Sequence, residues 1–267
     1  MVTTLPIAFS AVVVCYNEAK WVRQCLGSLD FCKELIVVDL GSTDGSQEIA
    51  RGMGAKVFQH ERVPHPNVPR QYGISQAQHE WVFTIDMDEV FPKEEISKVE
   101  TIIIANPNLD AIRVPIQYYF KRKKLICTVW GRPGHTRWTV LHRDRAQGTP
   151  YAHQEFRLDQ NIHYFSWSEM TPIKHYWRNS YRELFAKMWP YIRLEGESKY
   201  ASGYRFSWLH LIKATVAALK SNLIGYKGLW GGFTGISLSF AYTWYVFMSW
   251  LSLRRYETAR KVSSTSI

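Results

Sequence analysis

The chain has 267 residues and a net charge of +10, and this charge is distributed unevenly. Residues 1–173 hold 19 basic and 19 acidic side chains, whereas residues 174–267 hold 14 basic and 4 acidic ones. With 46% hydrophobic and 21% charged residues, the chain belongs to neither the disordered nor the fibrous class. A basic tail on a neutral body indicates a polyanionic partner for the tail, such as nucleic acid, acidic lipid head groups or a phosphorylated substrate.

The cysteines and the N-terminus indicate the compartment. The four cysteines form no CxxC pair and three of them fall within the first 32 residues, which argues against a zinc site and against a disulfide framework. The N-terminus lacks the charged and long apolar regions of a signal peptide. We therefore expect a cytoplasmic protein.

Strands and helices alternate in the first half of the chain. Apolar runs predict strands at 7–15, 35–39, 55–59 and 81–85, with helices in between. Asn17 is a favourable N-cap residue for the first of these helices. The alternation predicts an α/β fold with a parallel sheet and helices on both faces, in which ligands bind beyond the carboxyl ends of the strands.

Acidic residues follow the predicted strands at these carboxyl ends. Glu18 follows the first strand, Asp39 ends the second, and Asp86-x-Asp88 follows the fourth. Carboxylates one residue apart are suitable oxygen ligands for Mg²⁺ or Mn²⁺, which in turn can bridge a diphosphate. The alternative interpretation of Asp86-x-Asp88 is a helix-capping aspartate within a solvated acidic turn. The chain has neither a GxGxxG nor a GxxxxGK[ST] motif, so a dinucleotide site and a P-loop have no support.

Three sequence blocks together resemble a known family. They are SAVVVCYNEAKWVRQCLGSL, ELIVVDLGSTDGSQEIARGMGAKV and PRQYGISQAQHEWVFTIDMDEVF, in this order along residues 10–91. They resemble the successive blocks of family 2 glycosyltransferases with the GT-A fold, a Rossmann-like, mostly parallel sheet with flanking helices. The later segments YAHQEF, IKHYW and residues 228–253 are similar to the lipopolysaccharide-core β-glucosyltransferase branch.

The resemblance implies a domain organisation and a donor site. A catalytic domain would cover residues 1–175, with a nucleotide-sugar half at 1–92 and an acceptor half at 93–175, followed by a C-terminal helical region at 176–267. The implied nucleotide-sugar ligands are Tyr16, Asn17, Glu18, Asp39, Arg70 and Asp86. The implied metal ligands are Asp88 and Asp86, for Mg²⁺ or Mn²⁺. The chain departs from the family pattern at Gln71, where Asn is usual, and at Leu40, where a second Asp is common.

An inverting sugar transfer also needs a base that deprotonates the acceptor hydroxyl. Glu155 in the YAHQE segment resembles the family's VHE segment and is the predicted general base, with Asp159 as the alternative. His153 and His175 are candidates for a further metal ligand, because a neutral imidazole can complete a carboxylate site.

Basic residues 121–124 follow an aromatic segment and have two interpretations. One is a solvated hairpin tip; the other is a clamp for acceptor phosphates. The candidate acceptor or phosphate ligands in this region are Lys121, Arg122, Arg132 and Arg137.

The C-terminal region raises the question of membrane contact. Residues 228–253 contain no charged side chain and exceed the ~20 residues that a bilayer span needs. Their many Gly, Ser and Thr residues, and aromatics such as Trp244 and Trp250, favour helices that lie in the membrane interface over a true span. Residues 209–219, with Lys213 and Lys220, form a basic amphipathic pattern. A helical pair packed on the catalytic domain or across a dimer is the third interpretation.

These features together predict an inverting, metal-dependent glycosyltransferase on the inner face of the cytoplasmic membrane. We expect a nucleotide-sugar donor, in the first place a UDP-sugar, and a glycolipid or polysaccharide acceptor of the cell envelope. The C-terminal region would contact an anionic membrane surface, and a homo-oligomer is compatible with it. Nucleic acid is not an expected partner, since no recognition motif is present. The alternatives are a polyprenyl-phosphate glycosyltransferase and a non-catalytic membrane-surface binding protein.

Overall fold

The polypeptide divides into two units, described here separately. The computed structural model describes residues 7–63, 67–132, 134–145, 147–148, 156–157 and 161–265. Unit 1 comprises Met1–Gln117 and Gly134–Trp177, and unit 2 comprises Tyr118–Pro133 and Arg178–Ile267. The segment Tyr118–Pro133, which the sequence assigned to the catalytic domain, thus groups with the C-terminal helices.

The secondary structure follows the predicted alternation in the first half of the chain. In chain order the strands are β1 (Phe9–Cys15), β2 (Glu34–Asp39), β3 (Lys56–Gln59), β4 (Trp81–Asp86), β5 (Glu89–Val90), β6 (Ala111–Phe120), β7 (Lys123–Lys124), β8 (Thr136–His142), β9 (Gln147–Gly148), β10 (Phe156–Arg157), β11 (Ile162–Tyr164) and β12 (Ile173–Arg178). The α-helices are α1 (Ala19–Gly27), α2 (Ser46–Gly52), α3 (Asn67–Ser75), α4 (Ile96–Ala105), α5 (Thr128–Gly131), α6 (Tyr181–Ala201), α7 (Trp208–Lys220) and α8 (Gly232–Thr265). Single turns of 3₁₀-helix lie at Lys93–Glu95 and Gly228–Gly231, and a π-helical turn lies at Ser221–Gly225.

The main sheet has the strand order β3-β2-β1-β4-β8-β6-β12-β5. The strands β3, β2, β1 and β4 are parallel, whereas β8 runs antiparallel to both β4 and β6. The short β5 pairs antiparallel with β12, and β11 adds to β6 in parallel. The predicted α/β class, with a mostly parallel sheet, flanking helices and a C-terminal helical extension, is confirmed.

The core of unit 1 explains why the strands are continuous apolar runs. Val12, Ile36, Val38 and Val82 are fully buried at the centre of the sheet, where helices cover the strands. A Cβ atom at Gly73 of α3 would approach the side chain of Val12 to 2.5 Å. Glycine is therefore required where α3 meets the sheet.

Unit 2 is built on packed helices and one hairpin. In the hairpin, Lys121 and Arg122 form the two-residue turn between β6 and β7 with φ angles of 50° and 60°, as the hairpin interpretation of the basic run expected. A Cβ atom at Gly196 of α6 would lie 2.5 Å from the carbonyl oxygen of Ser252 in α8, so these two helices are in close contact.

Two aromatic residues of α8 contact α6 within unit 2. Trp244 packs against Phe185 and Trp189 of α6, and the Tyr245 hydroxyl donates to Glu195 at 2.8 Å. Among the helices that the structure describes, none has both the length and the hydropathy that a bilayer crossing requires.

Candidate functional site

The register of the parallel strands brings the predicted site residues to one edge of unit 1. Cys15 of β1 pairs with Asp39 of β2, and Val14 of β1 pairs with Asp86 of β4. The three strands therefore end level with one another, and the residues that follow them share the carboxyl edge of the sheet.

The loops after β1 and β2 are held together by hydrogen bonds. The backbone N–H of Asn17 donates to the Ser42 hydroxyl at 2.8 Å, and the Thr43 N–H donates to the Asn17 side-chain oxygen at 2.8 Å. Asn17 has a left-handed φ of 53°, and α1 begins only at Ala19, whose N–H donates to Asp44 at 2.9 Å. The prediction of Asn17 as the N-cap was therefore wrong, because an aspartate from the neighbouring loop caps this helix.

Asp39 is a fully buried carboxylate with one satisfied oxygen. Its Oδ2 accepts hydrogen bonds from the backbone of Gly41 at 3.0 Å, from that of Ser42 at 2.9 Å and from the side chain of Gln47 at 2.9 Å. Its buried Oδ1 has no hydrogen-bond partner among the residues that the structure describes. A buried acceptor of this kind is costly unless a ligand supplies a donor.

Tyr16 contacts an arginine that was not among the predicted site residues. The Arg62 guanidinium lies 4.0 Å from the centroid of the Tyr16 ring and also donates to the Tyr16 hydroxyl at 2.9 Å. This cation–π contact fixes an aromatic ring at the end of β1 and brings a cation to it. No local pattern marks Arg62, which lies in irregular structure after β3.

Asp86 lies between two arginines. Arg70 of α3 donates to Asp86 Oδ1 at 2.6 Å, and the Arg137 guanidinium lies 3.5 Å from Oδ2. Desolvation opposes ionisation of Asp86, but Arg137 and Arg70 outweigh it and hold the pKa of this carboxyl below its usual range. Asp86 is consequently an ionised acceptor oriented by Arg70.

Asp88 and His175 lie close together at the same edge of unit 1. The antiparallel pairing of β5 with β12 places His175 opposite Glu89, and His175 Nε2 lies 3.2 Å from Asp88 Oδ1. Burial alone would lower the pKa of His175, but the charge of Asp88 and the hydrogen bond to it raise the pKa above its ordinary value. His175, one of the two histidines named from the sequence, therefore lies beside Asp88.

Glu89 connects these groups and was not among the predicted site residues. It is buried, its Oε2 accepts the backbone N–H of Asp86 at 2.8 Å, and it forms an ion pair with Arg137. Its Oε1 lies 3.6 Å from His175 Nδ1. Burial raises the pKa of Glu89, and the Asp86 charge raises it further, against the influence of Arg137.

The side chains at this edge offer some, but not all, of the ligands that a divalent cation needs. Carboxylate oxygens and an imidazole nitrogen suit Mg²⁺ or Mn²⁺. Within the described part of the chain, no group of three or more His, Cys, Asp or Glu residues is arranged to hold a metal ion. Asp88 and His175 would thus supply only part of a coordination shell.

Not all of the remaining predicted residues belong to the described part of unit 1. Glu155, Asp159 and His153 lie outside the described residues. Lys121, Arg122 and Arg132 belong to unit 2, where Lys121 Nζ lies 4.5 Å from the centroid of the Tyr181 ring and Arg132 lies over Tyr226. Arg137 belongs to unit 1 and lies beside Asp86 and Glu89.

Comparison with known proteins decides the family. The family model described as glycosyl transferase family 2 matches residues 10–185, more than half of the chain. The chain belongs to glycosyl transferase family 2. The prediction of a family 2 glycosyltransferase is thereby confirmed.

Relatives of this family 2 chain include two enzymes of known name. It is similar to the lipopolysaccharide core biosynthesis glycosyltransferase LpsC of Rhizobium meliloti, with 29% identity over 123 residues, which are 45% of each chain. It is 34% identical over 106 residues to the poly(ribitol-phosphate) β-N-acetylglucosaminyltransferase TarS of Staphylococcus aureus, covering 36% of this chain and 18% of TarS. The crystal structure of S. aureus TarS 1-349 matches with a TM-score of 0.46 and 18% identity, over 63% of this chain and 60% of that one. The chain spans less than half of the length of these curated relatives.

Proposed function

We propose that this chain is an inverting, metal-dependent hexosyltransferase that uses a nucleotide-sugar donor, in the first place a UDP-sugar. Its acceptor would be a glycolipid or polysaccharide in cell-envelope glycan synthesis of the lipopolysaccharide type. Family membership and the relatives LpsC and TarS, whose names refer to the lipopolysaccharide core and to poly(ribitol-phosphate), support this class of acceptor. Because the chain belongs to a family of transferases, a non-catalytic membrane-binding protein is the weaker hypothesis.

The buried free oxygen of Asp39 is the observation that carries the proposal. Three donors already occupy Oδ2, so Oδ1 is left to accept an N–H from a ligand, such as the N3–H of uracil. Tyr16 and Arg62 present an aromatic face and a cation at the same edge of the sheet, in line with binding of a base and a phosphate. Asp86, oriented by Arg70, would accept hydrogen bonds from ribose hydroxyls.

Asp88 and His175 would hold the divalent cation. When bound, Mg²⁺ or Mn²⁺ supplies Lewis-acid stabilisation of the negative charge that develops on the departing nucleoside diphosphate. Glu89 acts as a positioning residue in this proposal, because it binds Arg137, accepts the Asp86 amide and lies next to His175.

Glu155 would deprotonate the acceptor hydroxyl, with Asp159 as the alternative base. The competing proposal, transfer to a polyprenyl phosphate, needs no such base because the acceptor oxygen is already ionised. Lys121, Arg122, Arg132 and Arg137 remain candidates for contacts with acceptor phosphates. We also propose that the enzyme acts on the inner face of the cytoplasmic membrane.

Two measurements test this proposal. A thermal-shift screen of UDP-, GDP- and dTDP-sugars should show stabilisation by a UDP-sugar in the presence of Mn²⁺ and less without it. In a transfer assay, Glu155→Gln should abolish turnover and leave UDP binding unchanged. The matched comparison is Asp159→Asn, which tests the alternative base in the same assay. Full turnover in both variants would show that neither residue is the base, which leaves a base elsewhere in the chain or the base-free polyprenyl-phosphate reaction.

A further inference from the structure

Helix α7 exposes its most apolar face. Leu209, Ile212 and Val216 are 57%, 56% and 59% exposed, and their spacing places them on one side of the helix. The residues that α7 buries are Leu211 and Ala218, on the opposite side. A surface helix of a globular protein normally has the reverse arrangement, with its apolar stripe facing the core.

The turn that follows α7 adds exposed aromatic side chains. Trp230 and Phe233 are 71% and 80% exposed, and they lie between the end of α7 and the first turn of α8. Exposed tryptophan and phenylalanine next to a lysine, here Lys227, are typical of segments that enter the head-group region of a bilayer.

The sequence segment that contains α7 carries charge of a single sign. From Ser198 to Tyr256 the sequence contains no Asp or Glu and seven Lys and Arg residues. Lys213 and Lys220 are exposed and follow Leu209 and Val216 by four residues each, so each lysine adjoins an apolar residue on the helix surface. The face is therefore apolar in its middle and positively charged along one side.

We infer that the α7 face, defined by Leu209, Ile212, Lys213, Val216 and Lys220, together with Trp230 and Phe233, docks on an anionic lipid bilayer. This inference deepens the proposed membrane localisation, on which it rests, by naming the surface and the lipid chemistry that it recognises. Acidic head groups neutralise the lysines while the apolar side chains enter the region beneath them. A second copy of the chain would bring the same lysines against each other without acidic residues on the face to pair with them, so a bilayer is the better occupant.

Sedimentation of the full-length protein with lipid vesicles tests the inference. We expect binding to phosphatidylcholine vesicles that contain phosphatidylglycerol, and weaker binding to phosphatidylcholine alone or in high salt. The variant Lys213→Gln/Lys220→Gln should lower the partition coefficient by about five-fold per lysine. The variant Leu209→Ser/Ile212→Ser/Val216→Ser should lower it by at least roughly ten-fold, because the inserted apolar area is lost.

The matched control is Ile104→Ser, which removes a 52% exposed isoleucine from α4 in unit 1. This variant should bind vesicles as the unaltered protein does. The inference is overturned if the triple serine variant binds vesicles normally, or if the unaltered protein binds none. If the unaltered protein binds none and the triple serine variant converts a dimer into a monomer, the α7 face is an interface between two copies of the chain. All variants should bind UDP as the unaltered protein does. If the unaltered protein does not bind UDP, the proposed function is contradicted, whereas the vesicle result still tests the membrane surface.

Discussion

Replacement of Asp39 by asparagine should change which nucleotide the protein binds. In the structure the Asp39 Oδ2 atom accepts three hydrogen bonds, from two backbone amides and Gln47, while Oδ1 faces no described donor. The asparagine oxygen would remain with the three donors, since turning the NH₂ group towards them would oppose donor to donor. The NH₂ group would then occupy the position of Oδ1, and an acceptor would become a donor.

The size of the effect follows from the hydrogen bond that is lost. A hydrogen bond to a charged group contributes about 1.5–3 kcal/mol, so the affinity for UDP should fall roughly 10- to 150-fold. Cytosine carries an acceptor at N3 where uracil carries a donor, so CDP should lose less affinity than UDP. The folded state should be retained, because all three hydrogen bonds to the other oxygen are kept.

Calorimetric titration of UDP and CDP in the presence of Mn²⁺ measures both effects. We expect the ratio of UDP to CDP affinity to fall by at least about ten-fold in Asp39→Asn relative to the unaltered protein. Gln47→Ala serves as the control, because it removes one donor to Oδ2 and leaves Oδ1 unchanged. An unchanged ratio in Asp39→Asn would refute the assignment of Oδ1 to the base.

Three further predictions concern stability and the metal. Burial opposes ionisation of Glu34, but hydrogen bonds from the Gln78 N–H, Lys56 and Ser10 outweigh it and lower the pKa of Glu34 in the fold. Glu34 therefore stabilises the fold above its unfolded pKa of about 4.3, and this stabilisation is lost as the pH falls through the folded pKa. Glu34→Gln should lower the free energy of unfolding in urea by about 1–3 kcal/mol at neutral pH and weaken the loss of stability at acidic pH. Gly196→Ala should destabilise by about 1–3 kcal/mol in the same assay, because its Cβ would meet Ser252, whereas Gly225→Ala has open space and should not. Glu89→Gln should raise the Mn²⁺ concentration needed for half-maximal activity by roughly ten-fold or more, and an unchanged requirement would remove Glu89 from the positioning role.

The residues at the carboxyl edge of the sheet were largely predictable because buried parallel strands have a clear sequence pattern. The apolar runs located β1, β2 and β4, and their shared direction placed Asp39 and Asp86 at one edge. The partner of Asp88 was harder to identify, because His175 reaches it through pairing of β12 with a strand of two residues, too short to show any periodicity. The roles of Arg62 and Glu89 likewise depend on contacts between distant segments.

The organisation of the second half depends on long-range contacts that the sequence does not mark. The hairpin segment Tyr118–Pro133 joins the C-terminal helices through contacts such as the hydrogen bond from the Thr128 N–H to the Tyr226 carbonyl oxygen at 2.8 Å. The sequence indicated aromatics such as Trp244 as membrane contacts, whereas in the structure Trp244 packs on α6. Exposed apolar residues lie on α7 and at Trp230 and Phe233. Composition identifies an apolar segment but does not reveal which face a helix buries.

Calorimetric titration of UDP with and without Mn²⁺ tests the proposed binding of a nucleoside diphosphate at the carboxyl edge of the sheet. In this proposal Asp39 binds the base, and Asp88 and His175 hold the metal. We predict that Mn²⁺ strengthens UDP binding, and that Asp88→Asn removes this enhancement while the weaker binding in EDTA remains. Equal affinity with Mn²⁺ and with EDTA, or no UDP binding under either condition, would contradict the proposal.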